Sequence, residues 1–181
     1  MQSIAEQKRS ESIAEYLLFM WQMEDLLRSV DLNLETLTQN VLADLPVEQQ
    51  IKNKKWFGEM IDEMKKSGLQ VSGHLSETYE ILNELQVLEK ALITVIHDEQ
   101  FMALRESTKP FLAEFKQKLN AVPQSDIEIA LTAMYGALIL KLAKKEISPE
   151  TRAAIDKFSM YLRSLSKSYR DMKSGNLPLN N

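Results

Sequence analysis

The residues of this chain that offer acid–base or metal chemistry are 2 histidines and 26 acidic side chains, because the sequence has no cysteine. A di-iron carboxylate bundle places a Glu three residues before each ligating His, and neither His74 nor His97 has one there. What remains is the reverse order, His74 with Glu77, or the local cluster of His97, Asp98 and Glu99. His74 follows Gly73 at a predicted helix start. His97 also ends a predicted helix, where a cation interacts favourably with the helix dipole. We therefore predict no metal site and no cofactor, and keep a metal-binding or enzymatic protein around His97 as a third alternative.

Motifs for nucleophilic catalysis and for phosphate binding are absent. No serine lies in a Gly-framed elbow, and the 5 glycines form neither a Walker loop nor a dinucleotide fingerprint. The many acids allow many carboxylate pairs, so no single pair indicates a glycosidase. The sequence thus favours a protein that is not an enzyme.

The stretch YLLFMWQMEDLLR places polar groups among aromatic and aliphatic side chains. At about 100° per residue, Gln22 and Asp25 fall on the solvent face of a helix, whereas Glu24 falls within its apolar arc. A buried carboxylate must be paired, hydrogen-bonded or protonated. Arg28, one turn further on, is the expected partner and has the donors to bind an acidic ligand. Trp21, Glu24 and Arg28 are therefore the candidate ligand-binding residues, and a structural Glu24–Arg28 ion pair is the alternative.

The net charge of −4 hides an asymmetry. Residues 1–140 carry 13 Lys or Arg against 22 Asp or Glu, whereas residues 141–173 carry 9 against 4. A nucleic-acid- or phosphate-associated protein that uses the basic C-terminal helix is the second alternative. The pI of about 5.4 argues against nucleic acid as a partner. The basic residues of that helix are Arg163, Lys167, Arg170 and Lys173.

Every apolar pattern of useful length has helical period, so we predict an all-α, single-domain bundle of six to seven helices. The long helices are expected near residues 3–30, 46–67, 73–97, 98–120, 125–145 and 148–173. Asn33, Ser125 and Ser148 are the expected N-caps. Pro110 is expected to kink or split its helix. The domain spans residues 1–174 and a flexible polar tail follows over 175–181.

Two helices carry seams in which apolar residues recur at spacings of three and four, which is typical of helix packing at shallow angles. The helix over 125–145 is rich in small residues and is expected at the centre of the bundle. One seam consists of Ile81, Leu85, Leu88, Leu92 and Val95. The other consists of Ile155, Phe158, Leu162, Leu165, Tyr169 and Met172.

No leader peptide and no membrane span is expected. The first residues lack an apolar core with a cleavage site, and polar residues interrupt the longest apolar run. The absence of cysteine fits a reducing compartment. We therefore expect a cytoplasmic location.

The run AEYLLFMWQMEDLLR and the later LQVLEKALITVIHDEQF resemble an uncharacterised bacterial family of helical proteins of roughly 180 residues, the length of this chain. The resemblance implies a bacterial, cytoplasmic helical protein and carries over no functional residue. From the surplus of apolar stripes we expect a helical interaction or small-ligand-binding protein, either a homodimer or bound to a protein partner.

Overall fold

The computed structural model describes residues 1–119 and 125–177. In these ranges it has eight α-helices and no strand, so the predicted all-α class is confirmed. A π-helical turn, Thr38–Leu42, follows α3. The helices are α1 Gln2–Glu11, α2 Ile13–Ser29, α3 Leu34–Leu37, α4 Val47–Lys66, α5 Ser76–Thr94, α6 Glu99–Lys116, α7 Asp126–Leu142 and α8 Pro149–Lys173.

The first predicted helix, near residues 3–30, is two helices in the structure. α1 ends at Glu11 and α2 begins at Ile13, with Ser12 between them. Serine favours helix starts over helix interiors, because its hydroxyl competes for backbone hydrogen bonds. The buried Asn53 of α4 holds the start of α1, since its Oδ1 accepts the amide proton of Gln2 at 3.0 Å.

The predicted N-caps are confirmed. Asn33, Ser125 and Ser148 each accept an amide proton from the residue three positions on, at 2.9, 3.1 and 3.2 Å. α6 runs unbroken through Pro110, so the helix is not split there, and a kink at this proline stays a prediction. Proline removes one backbone hydrogen bond, and the rest of the helix is long enough to continue past it. The predicted end of this helix at residue 120 lies outside the described residues.

The described chain forms two compact units. The first comprises Met1–Glu11 and Glu15–Glu80, and the second comprises Ser12–Ala14 and the described part of Ile81–Asn181. The three boundaries that separate the units fall in or beside helices rather than in a long linker. One domain over residues 1–174 stays a prediction, as does the tail over 175–181, of which residues 178–181 lie outside the described residues.

The two predicted seams are largely buried. All of the first except Val95 is buried; Val95 is 63% exposed, because α5 has ended at Thr94 and Ile96 is buried instead. The second seam is buried over Phe158–Tyr169, and its ends are half-buried.

α7 is buried over its first half only. Ile127, Ala130 and Leu131 are fully enclosed, whereas Ile139 and Leu142 are 45% and 67% exposed. Burial therefore decreases from the start of this helix to its end, and its position at the centre of the bundle stays a prediction. Among the described residues, no helix combines the length and the apolar character needed to cross a membrane.

Candidate functional site

Glu24 is completely buried, as its position in the apolar arc predicts. Its Oε2 lies 2.6 Å from Nδ1 of His74, and its Oε1 accepts the amide proton of Leu75 at 3.0 Å. Where the carboxylate is ionised it only accepts, and Nδ1 of His74 is then the donor in this contact. The prediction that Arg28 is the partner of Glu24 is therefore wrong, because the loop between α4 and α5 provides a partner for each carboxylate oxygen.

Arg28 binds the same loop by another route. Its Nε donates to the carbonyl of Leu69 at 3.1 Å, and its Nη2 donates to the carbonyl of Gly73. Its Nη1 donates to the exposed Asp25 at 2.8 Å. A loop without regular structure leaves carbonyls that need donors, and the planar guanidinium supplies several at once. Helical spacing placed Arg28 one turn from Glu24 and gave no information about this loop.

Trp21, the third candidate, is buried and stacks on the ring of His74. The two ring centroids are 4.3 Å apart and the planes are 12° apart. Gly73 lets the loop turn here, with a φ of 91°, and a Cβ on it would lie 2.8 Å from Leu69 Cδ2. We call Trp21, Glu24, Arg28 and His74 the loop clamp. All four lie in the first unit.

The start of α5 is held by a further set of polar contacts. Glu77 accepts from the Tyr16 hydroxyl at 2.7 Å and from Arg9 Nη1 at 2.6 Å. Burial raises the pKa of Tyr16, and the hydrogen bond to Glu77 raises it further. Together with the loop clamp, these contacts fix the segment that precedes α5. Their donors and acceptors are occupied by the chain itself, which favours a structural role.

A carboxylate that holds an imidazole is also the arrangement that orients a general base. Here the imidazole is partly covered by Trp21, and its side chain is 28% exposed. Among the described residues, no serine or threonine hydroxyl lies within hydrogen-bond distance of His74. Ligand binding at Trp21, Glu24 and Arg28 stays a prediction.

The alternative around His97 gains no support. His97 is exposed and has a φ of 54°, and Asp98 caps α6 by accepting the amide proton of Phe101 at 2.9 Å. Nowhere in the described part of the chain do three His, Asp or Glu side chains gather closely enough to hold a metal ion.

The basic residues of α8 are partly engaged with acids. Lys173 donates to Glu84 at 2.7 Å, a hydrogen bond that raises the pKa of the lysine, and Lys167 lies 3.4 Å from Asp171. These pairs lower the positive charge that the helix offers to a phosphate backbone.

An open apolar groove lies in the second unit, between α6, α7 and α8. Its volume is about 380 Å³. Phe115 and Phe158 meet edge to face at one part of it, with centroids 6.0 Å apart. The space above Gly136 is open, since a Cβ there would meet no atom of the described residues within 4 Å. The lining residues are Phe115, Ala133, Gly136, Ala137, Ile139, Leu140, Thr151, Ala154, Ile155 and Phe158.

A second recess of about 940 Å³ adjoins this groove, and Ala137 and Ile155 line both. We call it the cationic recess, because four of its residues are Lys141, Lys144, Lys145 and Arg152. Its other residues are Met134, Leu138, Glu146 and Ile147.

The backbone at the end of α7 determines the positions of two of these cations, Lys144 and Lys145. The amide of Lys145 donates to the carbonyl of Leu140 at 2.9 Å, and Lys144 adopts a left-handed φ of 53°. This is the bonding of a Schellman C-cap, with lysine where glycine is usual. Cations at this end also interact favourably with the helix dipole. The sequence ILKLAKK therefore fixes both the helix end and the charge beside the groove.

The sequence pattern did not predict the groove. The small residues of α7 predicted a helix at the centre of the bundle instead. Ala133, Gly136, Ala137 and Leu140 follow the i, i+3, i+4, i+7 spacing of one helix face, and that face is partly open. Periodicity identifies a face but does not say whether a neighbour covers it.

The geometry can be set beside known proteins. A family model described as a domain of unknown function, DUF4924, matches residues 2–176. The chain belongs to the DUF4924 family. The match confirms the resemblance to a family of unknown function, and in this DUF4924 chain it includes the loop clamp, the apolar groove and the cationic recess. No curated protein and no solved structure matches the chain.

Proposed function

We propose that this protein is a binding protein that accommodates an apolar small molecule in the groove between α6, α7 and α8. The observation that carries the proposal is the open apolar groove itself. Among the described residues that line the groove, Thr151 is the one polar residue. The volume of about 380 Å³ lies within the range of roughly 300–1,000 Å³ usual for small-molecule sites.

The exposed apolar surface supports this function. Ile139, which lines the groove, is 45% exposed, on a helix whose first half is mostly buried. An apolar ligand would remove this surface from water at about 25 cal/mol for each Å² covered. The open space above Gly136 gives such a ligand room close to the helix backbone.

Titration with Nile red, a neutral apolar dye whose fluorescence rises in apolar surroundings, tests the proposal. We expect saturable binding to the full chain. Gly136→Leu should weaken it by about tenfold or more, because the new side chain fills space in which about two ligand methylenes would be buried. Gly136→Ala is the matched control, which adds one methyl group and should bind nearly as well.

Two results would contradict the proposal. One is the absence of saturable Nile red binding to the folded chain. The other is equal binding by the Gly136→Leu variant, which would place the dye outside the groove. Circular dichroism of each variant shows whether the helices are retained.

A cytoplasmic location and a homodimer belong to the same proposal. The absence of cysteine supports the first. Exposed apolar side chains one turn apart on α4, Val47 at 72% and Ile51 at 67%, support contact with another protein chain. Light scattering on a gel-filtration column tests the dimer, and a monomeric mass at high concentration would rule it out.

A further inference from the structure

We infer that the ligand of this groove is an acyl-chain carboxylate, whose chain lies in the apolar groove and whose carboxylate lies in the cationic recess. This inference rests on the proposed function and adds the chemical class of the ligand. Its basis is that an apolar cavity and a positively charged cavity adjoin along Ala137 and Ile155.

The charge of the recess is not neutralised by the protein. Among the described residues that line the recess, four are cations, Lys141, Lys144, Lys145 and Arg152, and one is an acid, Glu146. None of the four cations forms an ion pair with an acid in the part of the chain that the structure describes. Other cations of the same unit do form such pairs, and Lys118 and Lys173 are examples.

The backbone holds this charge beside the groove. Lys141 is in the last turn of α7, and Lys144 and Lys145 directly follow its C-cap residue, Ala143. Arg152 is in the first turn of α8. Both helices also line the groove. The positions of the cations relative to the apolar lining therefore depend on helix ends and not on a long loop.

The ligand class follows from this pairing of surfaces. A carboxylate accepts charge-assisted hydrogen bonds from lysine and arginine, which are stronger than neutral ones. A neutral lipid would leave the four cations without a partner, and a small anion such as phosphate would leave the groove uncovered. A single acyl chain with a terminal carboxylate satisfies both surfaces.

An amphipathic acidic helix from a partner protein has the same two properties, but the groove favours the smaller ligand. Helix-binding grooves must accept side chains over two or more turns. The apolar groove here has about 380 Å³, a small-molecule volume.

The experiment is competition for bound Nile red by decanoate, dodecanoate and 1-dodecanol, each below its micelle concentration, with the full chain. We expect dodecanoate to compete about tenfold better than 1-dodecanol, the advantage of a hydrogen bond to a charged group. We also expect affinity to rise about threefold to fourfold for each methylene added between decanoate and dodecanoate.

Two variants test whether the charge of the recess, and not a change in the fold, determines the affinity for dodecanoate. Lys141→Gln combined with Arg152→Gln should weaken dodecanoate by about tenfold and leave 1-dodecanol and Nile red unchanged. Lys90→Gln removes one exposed charge from α5, outside the recess, and should not change the affinity for dodecanoate, 1-dodecanol or Nile red.

The failures of the two proposals are distinguishable. Equal competition by dodecanoate and 1-dodecanol, or an unchanged dodecanoate affinity in the double variant, would overturn the carboxylate and leave the apolar groove in place. Displacement of Nile red by an acidic amphipathic helical peptide, with none by dodecanoate, would overturn it in favour of a protein partner. An absence of Nile red binding would overturn the proposed function itself.

Discussion

The carboxylate of Glu24 lies 2.6 Å from Nδ1 of His74, a residue 50 positions further along the chain. Because the same carboxylate also accepts the amide proton of Leu75, it fastens the loop before α5 to the middle of α2. Trp21 covers the imidazole from one side. The buried carboxylate of Glu24 thus finds its hydrogen-bond partners in a segment that is distant from it in sequence.

Glu24→Gln should lower the free energy of unfolding by about 1–3 kcal/mol, because the loop loses a charged acceptor and gains an amide that cannot satisfy both donors. Urea unfolding followed by circular dichroism measures the change. Glu80→Gln is the matched control, since Glu80 is exposed, and its effect should stay within about 0.5 kcal/mol. Equal stability of the wild type and the Glu24→Gln variant would show that the loop clamp does not stabilise the fold.

The contrast between Glu24 and Arg28 shows how far the sequence predicts this region. Amphipathicity is a property of one helix, so it placed Glu24 in the core correctly. The partner of Glu24 comes from a loop whose path depends on Gly73 and on packing, and no periodic signal marks it. The dipeptide Gly73–His74 before a helix start was the sequence feature that could have indicated a partner for Glu24. We interpreted it only as a helix boundary.

The same limit applies in the second unit. The seams of α5 and α8 were predicted because buried faces repeat along a helix. The predicted burial of Val95 was wrong, because a residue just beyond the end of a helix no longer follows the helical repeat. The groove was missed because the sequence of α7 is equally apolar where a neighbour covers it and where none does.

A second prediction concerns the buried polar network of the second unit. The Tyr161 hydroxyl donates to Glu89 at 2.6 Å, and Arg105 Nε donates to the same oxygen at 2.8 Å. Tyr161→Phe should cost about 1–2 kcal/mol of unfolding free energy, since a nearly buried carboxylate loses a donor. Tyr169→Phe is the comparison: its acceptor, Glu84, is 44% exposed and can bind water instead, so the loss should be smaller. Equal losses in thermal or urea unfolding would contradict this ranking.

A third prediction is a loss of stability at alkaline pH. Burial raises the pKa of Tyr161, as do the charge and the hydrogen bond of Glu89. Above about pH 10 the unfolded chain releases the tyrosine proton and the folded chain retains it. The contribution of Tyr161 to the free energy of unfolding is therefore complete below about pH 10 and decreases above it. The decrease is up to about 1.4 kcal/mol per pH unit for each such tyrosine. Urea unfolding at a series of pH values measures the slope, and Tyr161→Phe should make it shallower. A slope that is identical in the variant would exclude Tyr161 as its source.

Two glycines provide the last prediction, because the same substitution should have opposite effects at them. Gly136 lies inside α7 with open space around it, so Gly136→Ala should raise the unfolding free energy by about 0.5–1 kcal/mol through helix propensity.

Gly73 has a φ of 91°, and a Cβ there would lie 2.8 Å from Leu69 Cδ2, so Gly73→Ala should destabilise the chain by about 1–3 kcal/mol. Thermal unfolding of the two variants beside the wild type measures both effects. Because Gly73 carries the carbonyl that Arg28 binds and precedes His74, its loss should also weaken the loop clamp. A Gly73→Ala variant as stable as Gly136→Ala would contradict the left-handed conformation at this turn.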